Sequence, residues 1–451
     1  MMVVVASSVA LLAACSTGGG SSTTSGGAPT TGSAPTSAVA PTTSSAPTTS
    51  APQKQVTLVY STVASGEVLS KGEQPVIDAF MAANPNIKVT IESTPVGDYA
   101  TKLSTQFRGG AGPDLGRVNG ADMRGWQAAG FLTPLDQVVK DQNIDTTAFI
   151  PALLGNATIN GSIAVLPLGT DTRVLYYNPK LLAAQGITAP PTTWDEMLAD
   201  VAKFKGTGVY GFGFMDSGND YAMSSETVGP FVKGAGGWLV NPDQLKAVGS
   251  TDPAVLQALQ FVQELVKTGA TPPGGSNTEP LLAQLFSQNK LAMMLGGPWV
   301  RQDILQANPD FKYGQDYLNT VVPVPKAGMV SGSTSGGWFI GIFKNSKNQD
   351  AAAKLLAFIQ QKENIGKLNT GEAFPPRVDG LSMSPWADDP FYQAYAEQLK
   401  GTGRVIPPIA GSHEVAVDFL NAVSPVLLDP TKSAADALKA FDDLVNSTVL
   451  K

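Results

Sequence analysis

Cysteine and histidine are nearly missing from this 451-residue chain, which has one of each, Cys15 and His413. A single cysteine excludes an internal disulfide, so any fold must rest on its core. The pair also leaves no cysteine–histidine couple and no zinc cluster built on those ligands. Basic residues are outnumbered, 30 Lys and Arg against 37 Asp and Glu, giving a net charge of −7. That balance supplies no concentrated basic face, so a nucleic-acid partner is not expected. No run of 18 or more apolar residues occurs, so nothing is expected to span a membrane. There is no P-loop, which excludes a transporter ATPase, and no G-x-S-x-G elbow to support a serine triad on His413. Nothing in the sequence implies a cofactor or a metal.

Charge itself is absent from the first 53 residues, which hold no Asp, Glu, Lys or Arg. Residues 3–14 form an apolar run too short to span but suited to a signal h-region, so 1–14 reads as a signal peptide. Leu12-Ala13-Ala14-Cys15 resembles the bacterial lipobox. By that resemblance Cys15 becomes the lipid-bearing mature N-terminus, anchored by its acyl chains. No Lys or Arg precedes the run, where a signal n-region is basic, which points to a start upstream of Met1. Residues 15–53 are the lipidated cysteine and a stretch of Ser, Thr, Gly, Ala and Pro. Such a composition cannot offset its ordering entropy, so a disordered tether spanning roughly 30–40 Å is expected. A mucin-like glycosylated stalk has the same composition.

From Lys54 onward, roughly 400 residues of mixed composition suffice for two sizeable cores. Val56–Tyr60 reads as a strand, followed by a helix with Val76, Ile77, Phe80 and Met81 on one face, stopped at Asn84-Pro85. Ile87–Ile91 reads as a second strand, and Tyr99, Leu103 and Phe107 as one face of a second helix. Thr193-Trp194-Asp195-Glu196 is a capping box, and Pro253 opens a helix carrying Leu256, Leu259, Val262 and Leu265. Alternating strands and helices predict an α/β fold with parallel sheets covered on both faces.

Five segments resemble the carbohydrate-binding group of ABC-transporter extracellular solute-binding proteins, the type II, maltose-binding-protein-like fold. They are Gly112-Pro113-Asp114 with Asn119 and the Ala128–Asp136 segment; Val165–Asn178; Ala292–Trp299; Ser335–Ile342 with the helix after Lys347; and Phe374-Pro375-Pro376-Arg377. The resemblance implies two α/β lobes joined by crossings near 168–174, 325–336 and 370–377. Residues 56–168 with 337–369 would form the first lobe, and 169–336 with 370–451 the second. It further implies a sugar or sugar derivative in the interlobe cleft, hinge closure, delivery to ABC permease subunits, a monomer, and a place on the extracytoplasmic face of the cell membrane.

A sugar offers paired hydroxyls and weakly apolar ring faces, so its site needs carboxylates, amides and aromatic plates. Trp299, after an apolar strand, and Trp338, after two glycines, are candidate plates; a core tryptophan is the alternative for Trp299. Gly337 offers a backbone amide at a close approach. Asp171 is the leading carboxylate, with an ion pair to Arg173 as its alternative. Asn119 is either a hydroxyl partner or a helix cap. Arg377, on a proline-stiffened loop, suits hydroxyls or an anion, against an interlobe ion pair. Glu67, Tyr221 and Trp238 complete the candidates. Trp126 and Trp194 read as structural, while Trp386 and His413 have no context that singles them out.

A secreted glycosidase remains the rival, since that chemistry needs only two carboxylates. A ligand-sensing surface receptor differs from an importer component only in what docks on the lobes.

Overall fold

The computed structural model describes residues 54–217 and 220–451. The expected signal peptide, Cys15 and the tether lie outside the described residues. Alternation in Val56–Thr62 buries Leu58 and Tyr60, and this strand pairs in parallel with Ile87–Ser93 and with Leu115–Asn119. The helix Gln74–Ala83 follows the first strand and Val96–Arg108 the second; the latter buries Tyr99, Leu103 and Phe107, the face predicted by their spacing. Trp338–Ile342 enters the same sheet beside Leu115–Asn119, and Leu166–Pro167 closes its far edge. One apolar cluster around Ile77, Phe80 and Leu355 and another around Leu103, Phe107 and Trp126 pack against this sheet.

A second sheet is ordered Leu318–Thr320, Val174–Tyr177, Leu291–Gly296, Tyr210–Gly213. It carries two further clusters, one with Trp194, Phe231 and Phe419 and one with Tyr176, Phe286 and Phe391. Thr193 and Glu196 make both bonds of the capping box, and Trp194 stacks on Phe261 at 4.5 Å. Trp126 meets Phe107 edge-on at 5.4 Å, and Trp386 donates from Nε1 to the Ala373 carbonyl at 2.9 Å. All three tryptophans are core residues.

The sheets are mixed rather than parallel. Trp338–Ile342 runs antiparallel to both neighbours, and Val174–Tyr177 runs antiparallel to Leu291–Gly296. These strands enter directly from a connecting ribbon, with no crossover helix to bring the chain back in the parallel sense. That ribbon has three strands, Asp171–Thr172, Ser333–Gly336 and Thr402–Gly403. Asp171 opens the first of these short strands.

Candidate functional site

Polar and aromatic side chains converge around this ribbon from both cores. Asp171 Oδ1 accepts from Arg173 at 2.5 Å and from the Gly336 amide at 2.8 Å, so the ion pair weighed as its alternative forms. Arg173 also holds Glu226 through two bonds of 2.5 and 2.8 Å. The Arg173 guanidinium lies 5.2 Å from the Trp299 ring centroid. Trp299 caps the helix Val300–Ala307, folds its ring over Gly297, and donates from Nε1 to Glu279 at 2.7 Å. A side chain at Gly297 would occupy the space of that ring, so glycine is what lets the indole turn back. Trp299 is half-buried, with one face under Arg173. Burial pushes the Glu279 carboxyl well above its usual range, and nearby Glu226 and Asp303 push it further. Burial raises Asp303 to about 6. A half-exposed indole among three carboxylates and an arginine can stack on a ring and pair its hydroxyls.

Across the ribbon, Trp338 is paired in register with Asn119, whose Oδ1 accepts from the Ala121 amide at 2.9 Å in a local turn. The Trp338 ring meets Tyr99 edge-on at 5.9 Å and lies 5.8 Å from the Arg117 guanidinium. Gly337 has φ +147°, and a side chain there would strike the Gly169 carbonyl, so only glycine permits this crossing of backbones. Its carbonyl accepts from the Gly120 amide at 3.4 Å.

Arg117 itself was not among the sequence candidates. It is 2% exposed, bonds Glu73 at 2.7 Å, and holds Glu372 with two parallel bonds of 2.6 Å. Glu73 accepts additionally from Thr62 at 2.9 Å and Tyr60 at 3.2 Å. Arg117 thereby ties the Trp338 ring, which it faces, to these two carboxylates.

The remaining candidates scatter. Tyr221 joins a cluster with His413 at 2.7 Å and Asp122 at 3.2 Å. Trp238 lies under Lys233, 4.8 Å from its ring centroid. Glu67 is an exposed partner of Lys71 at 2.6 Å. Arg377 pairs with Asp379 at 2.9 Å and lines an outer hollow of about 410 Å³ with Phe80, Asn143 and Lys354, apart from the tryptophans. The structure thus brings together Asn119, Asp171, Trp299, Gly337 and Trp338, and leaves Glu67 and Arg377 elsewhere.

His413, which no sequence context singled out, links the two cores. Its Nδ1 lies 3.1 Å from Asp122, beside the first sheet, and its Nε2 lies 3.5 Å from Asp220. His413 opens the helix Ser412–Leu428, which packs in the second core. Burial disfavours its charge, but the hydrogen bond it donates to Asp122 and the nearby Asp122, Asp220 and Glu414 carboxylates outweigh that and raise its pKa. A raised histidine value means stabilisation that is complete below about pH 6.5 and lost as pH rises through the folded value. His413→Gln is therefore expected to lower the melting temperature at pH 5.5 and to approach the wild-type value at pH 9. Equal deficits at both pH values would sink the idea.

Residues 65–365 match the family model described as bacterial extracellular solute-binding protein. A putative binding protein of Brucella abortus is 29% identical over 381 residues, covering 81% of this chain and 88% of that one. The sn-glycerol-3-phosphate-binding periplasmic protein UgpB of Yersinia pestis is 32% identical over 151 residues, 31% of this chain and 34% of its own length. Among solved structures, an ABC-transporter solute-binding protein of Thermotoga lettingae bound to α-D-tagatose superposes with a TM-score of 0.76 at 27% identity, covering 87% of this chain and 99% of that one. The GacH receptor of Streptomyces glaucescens superposes with a TM-score of 0.77 at 22% identity, covering 88% and 98%. With two sheets, a connecting ribbon and a family match across two-thirds of its length, the chain belongs to the bacterial extracellular solute-binding proteins and has their two-lobed type II fold.

Proposed function

We propose that this protein captures a sugar or sugar derivative between its lobes and presents it to an ABC permease. The observation that carries this reading is the meeting, at the connecting ribbon, of half-buried Trp299 and Trp338 with Asp171, Glu226 and Asn119. Aromatic faces suit sugar C–H surfaces, and carboxylates and amides suit paired hydroxyls. The tagatose-bound relative supports the same class of ligand. In this reading residues 56–168 with 337–369 form one lobe and 169–336 with 370–451 the other, and hinge closure around the solute is the motion. Cys15 carries the lipid anchor on the extracytoplasmic face of the membrane, and the protein acts as a monomer. It binds and does not turn over its ligand.

The test is a panel of monosaccharides, disaccharides and their phosphate esters, read by thermal shift and by product analysis. Ligand-dependent stabilisation without cleavage is expected. Cleavage products would instead establish the glycosidase, and the absence of any shift across the panel would remove the carbohydrate assignment.

A further inference from the structure

Four arginines of the described region are paired with carboxylates. Arg117 has Glu73 and Glu372, Arg173 has Asp171 and Glu226, Arg301 has Asp389, and Arg377 has Asp379. Arg108 is exposed to water. Arg124 and Arg404 break the pattern. Neither is exposed, and neither has an ion pair or a side-chain hydrogen bond among the described residues. Arg124 Nε is buried and donates to nothing among the described residues.

Arg404 stands at the connecting ribbon. It follows the ribbon strand Thr402–Gly403 and lays its guanidinium against the backbone of Gly120. A Cβ at Gly120 would sit 2.5 Å from its terminal nitrogen, so a side chain there would push the guanidinium aside. Gly120 adjoins Asn119 and bonds Gly337, which places this guanidinium within the group that contains Trp338. Arg124 lies on the helix Met123–Ala128 just beyond, close enough that the two cations repel. The carboxylate whose charge favours the Arg404 cation is Asp171, and Asp171 is already engaged by Arg173 and the Gly336 amide.

Two half-buried guanidinium groups without a carboxylate partner among the described residues lose part of their hydration in the empty protein, and their like charges oppose each other. A guanidinium fork matches the geometry of a phosphate or carboxylate, and such charge-assisted bonds are the strong ones. We propose that the solute carries an oxyanion, a phosphate ester or a carboxylate on a small sugar or polyol, and that Arg404 and Arg124 bind it beside Gly120. This deepens the proposed solute-binding reading and rests on it. Trp299, Asp171 and Glu226 then meet the hydroxylated part, and the arginines select the charged end.

The experiment titrates the full chain with matched pairs: glucose against glucose 6-phosphate, glucose against glucuronate, and glycerol against sn-glycerol 3-phosphate. Inorganic phosphate serves as a bare oxyanion. At least one anionic member is expected to bind tenfold or more tightly than its neutral partner. Arg404→Gln should remove that preference while changing the neutral partner's affinity less than threefold. The phosphate and carboxylate arms distinguish which oxyanion is taken. Removing a repelled, unpaired cation should also leave the ligand-free melting temperature unchanged or raised, whereas a purely structural arginine would lower it. Arg404→Lys, which keeps the charge without the fork, should retain part of the preference and guards against a misfolded glutamine variant. Tighter binding of neutral sugars than of all anionic partners would overturn the oxyanion while leaving the sugar-binding reading intact. Failure of every ligand, charged and neutral, would remove both.

Discussion

Replacing Arg117 with methionine is expected to destabilise the protein by about 3–5 kcal/mol, the usual result of stranding buried partners of a lost charge. Glu73 and Glu372 would then face each other without the guanidinium that separates them, Glu73 fully buried. Burial already pushes the Glu73 carboxyl up, with Glu372 adding to the rise and Arg117 opposing it. Without Arg117, Glu73 should take up a proton, so the loss should be smaller at pH 5 than at pH 8. Urea denaturation at the two pH values measures both quantities. Arg117→Lys is expected to rescue little, because a point charge cannot reproduce the two parallel bonds to Glu372 and the contact to Glu73. A loss below 1 kcal/mol for the methionine variant would show that the triad contributes little to the stability of the fold. The same substitution removes the support beneath Trp338, so solute affinity should fall even where the fold survives.

Trp299→Ala is expected to weaken solute binding roughly 30-fold or more, the effect of removing a central aromatic anchor worth at least about 2 kcal/mol. Two contributions combine. The ring itself is lost as a stacking surface, and Arg173 and Glu279 lose the indole that lies between them. Trp299→Phe separates these, since it keeps an aromatic face near Arg173 and removes only the Nε1 bond. An intermediate affinity is expected for phenylalanine. Trp238→Ala is the comparison, because that ring packs under Lys233, outside the Trp299 and Trp338 group. Equal affinities for wild type and Trp299→Ala, measured calorimetrically with a solute from the panel, would exclude Trp299 from the site.

Local pattern was legible where local physics decides the outcome. The helix faces at Tyr99, Leu103 and Phe107, the Thr193 capping box and the helix opened by Pro253 follow from spacing and capping within a few residues. The grouping of Asp171, Trp299 and Trp338 was legible through the order of family-like segments, since those segments end strands or open crossings that the fold brings to one place. Strand direction was not legible, because a strand entering from a crossing has the same composition whichever way it runs.

The sequence by itself determined the class of molecule: a charge-free N-terminal stretch with one cysteine, a mixed α/β chain too short of cysteine and histidine for their chemistry, and the segments that mark a solute-binding protein. Tertiary structure alone decided which charges are neutralised. Arg117 finds Glu372 at a sequence separation of 255, and Glu73 at 44, distances over which no periodicity carries information. Arg377 and Arg404 both follow proline- or glycine-rich segments, yet the fold gives the first a carboxylate and, among the described residues, leaves the second without one. His413 looked featureless until the second core set it against Asp122. Ionic partners are chosen by burial and proximity in three dimensions, which a one-dimensional pattern does not encode.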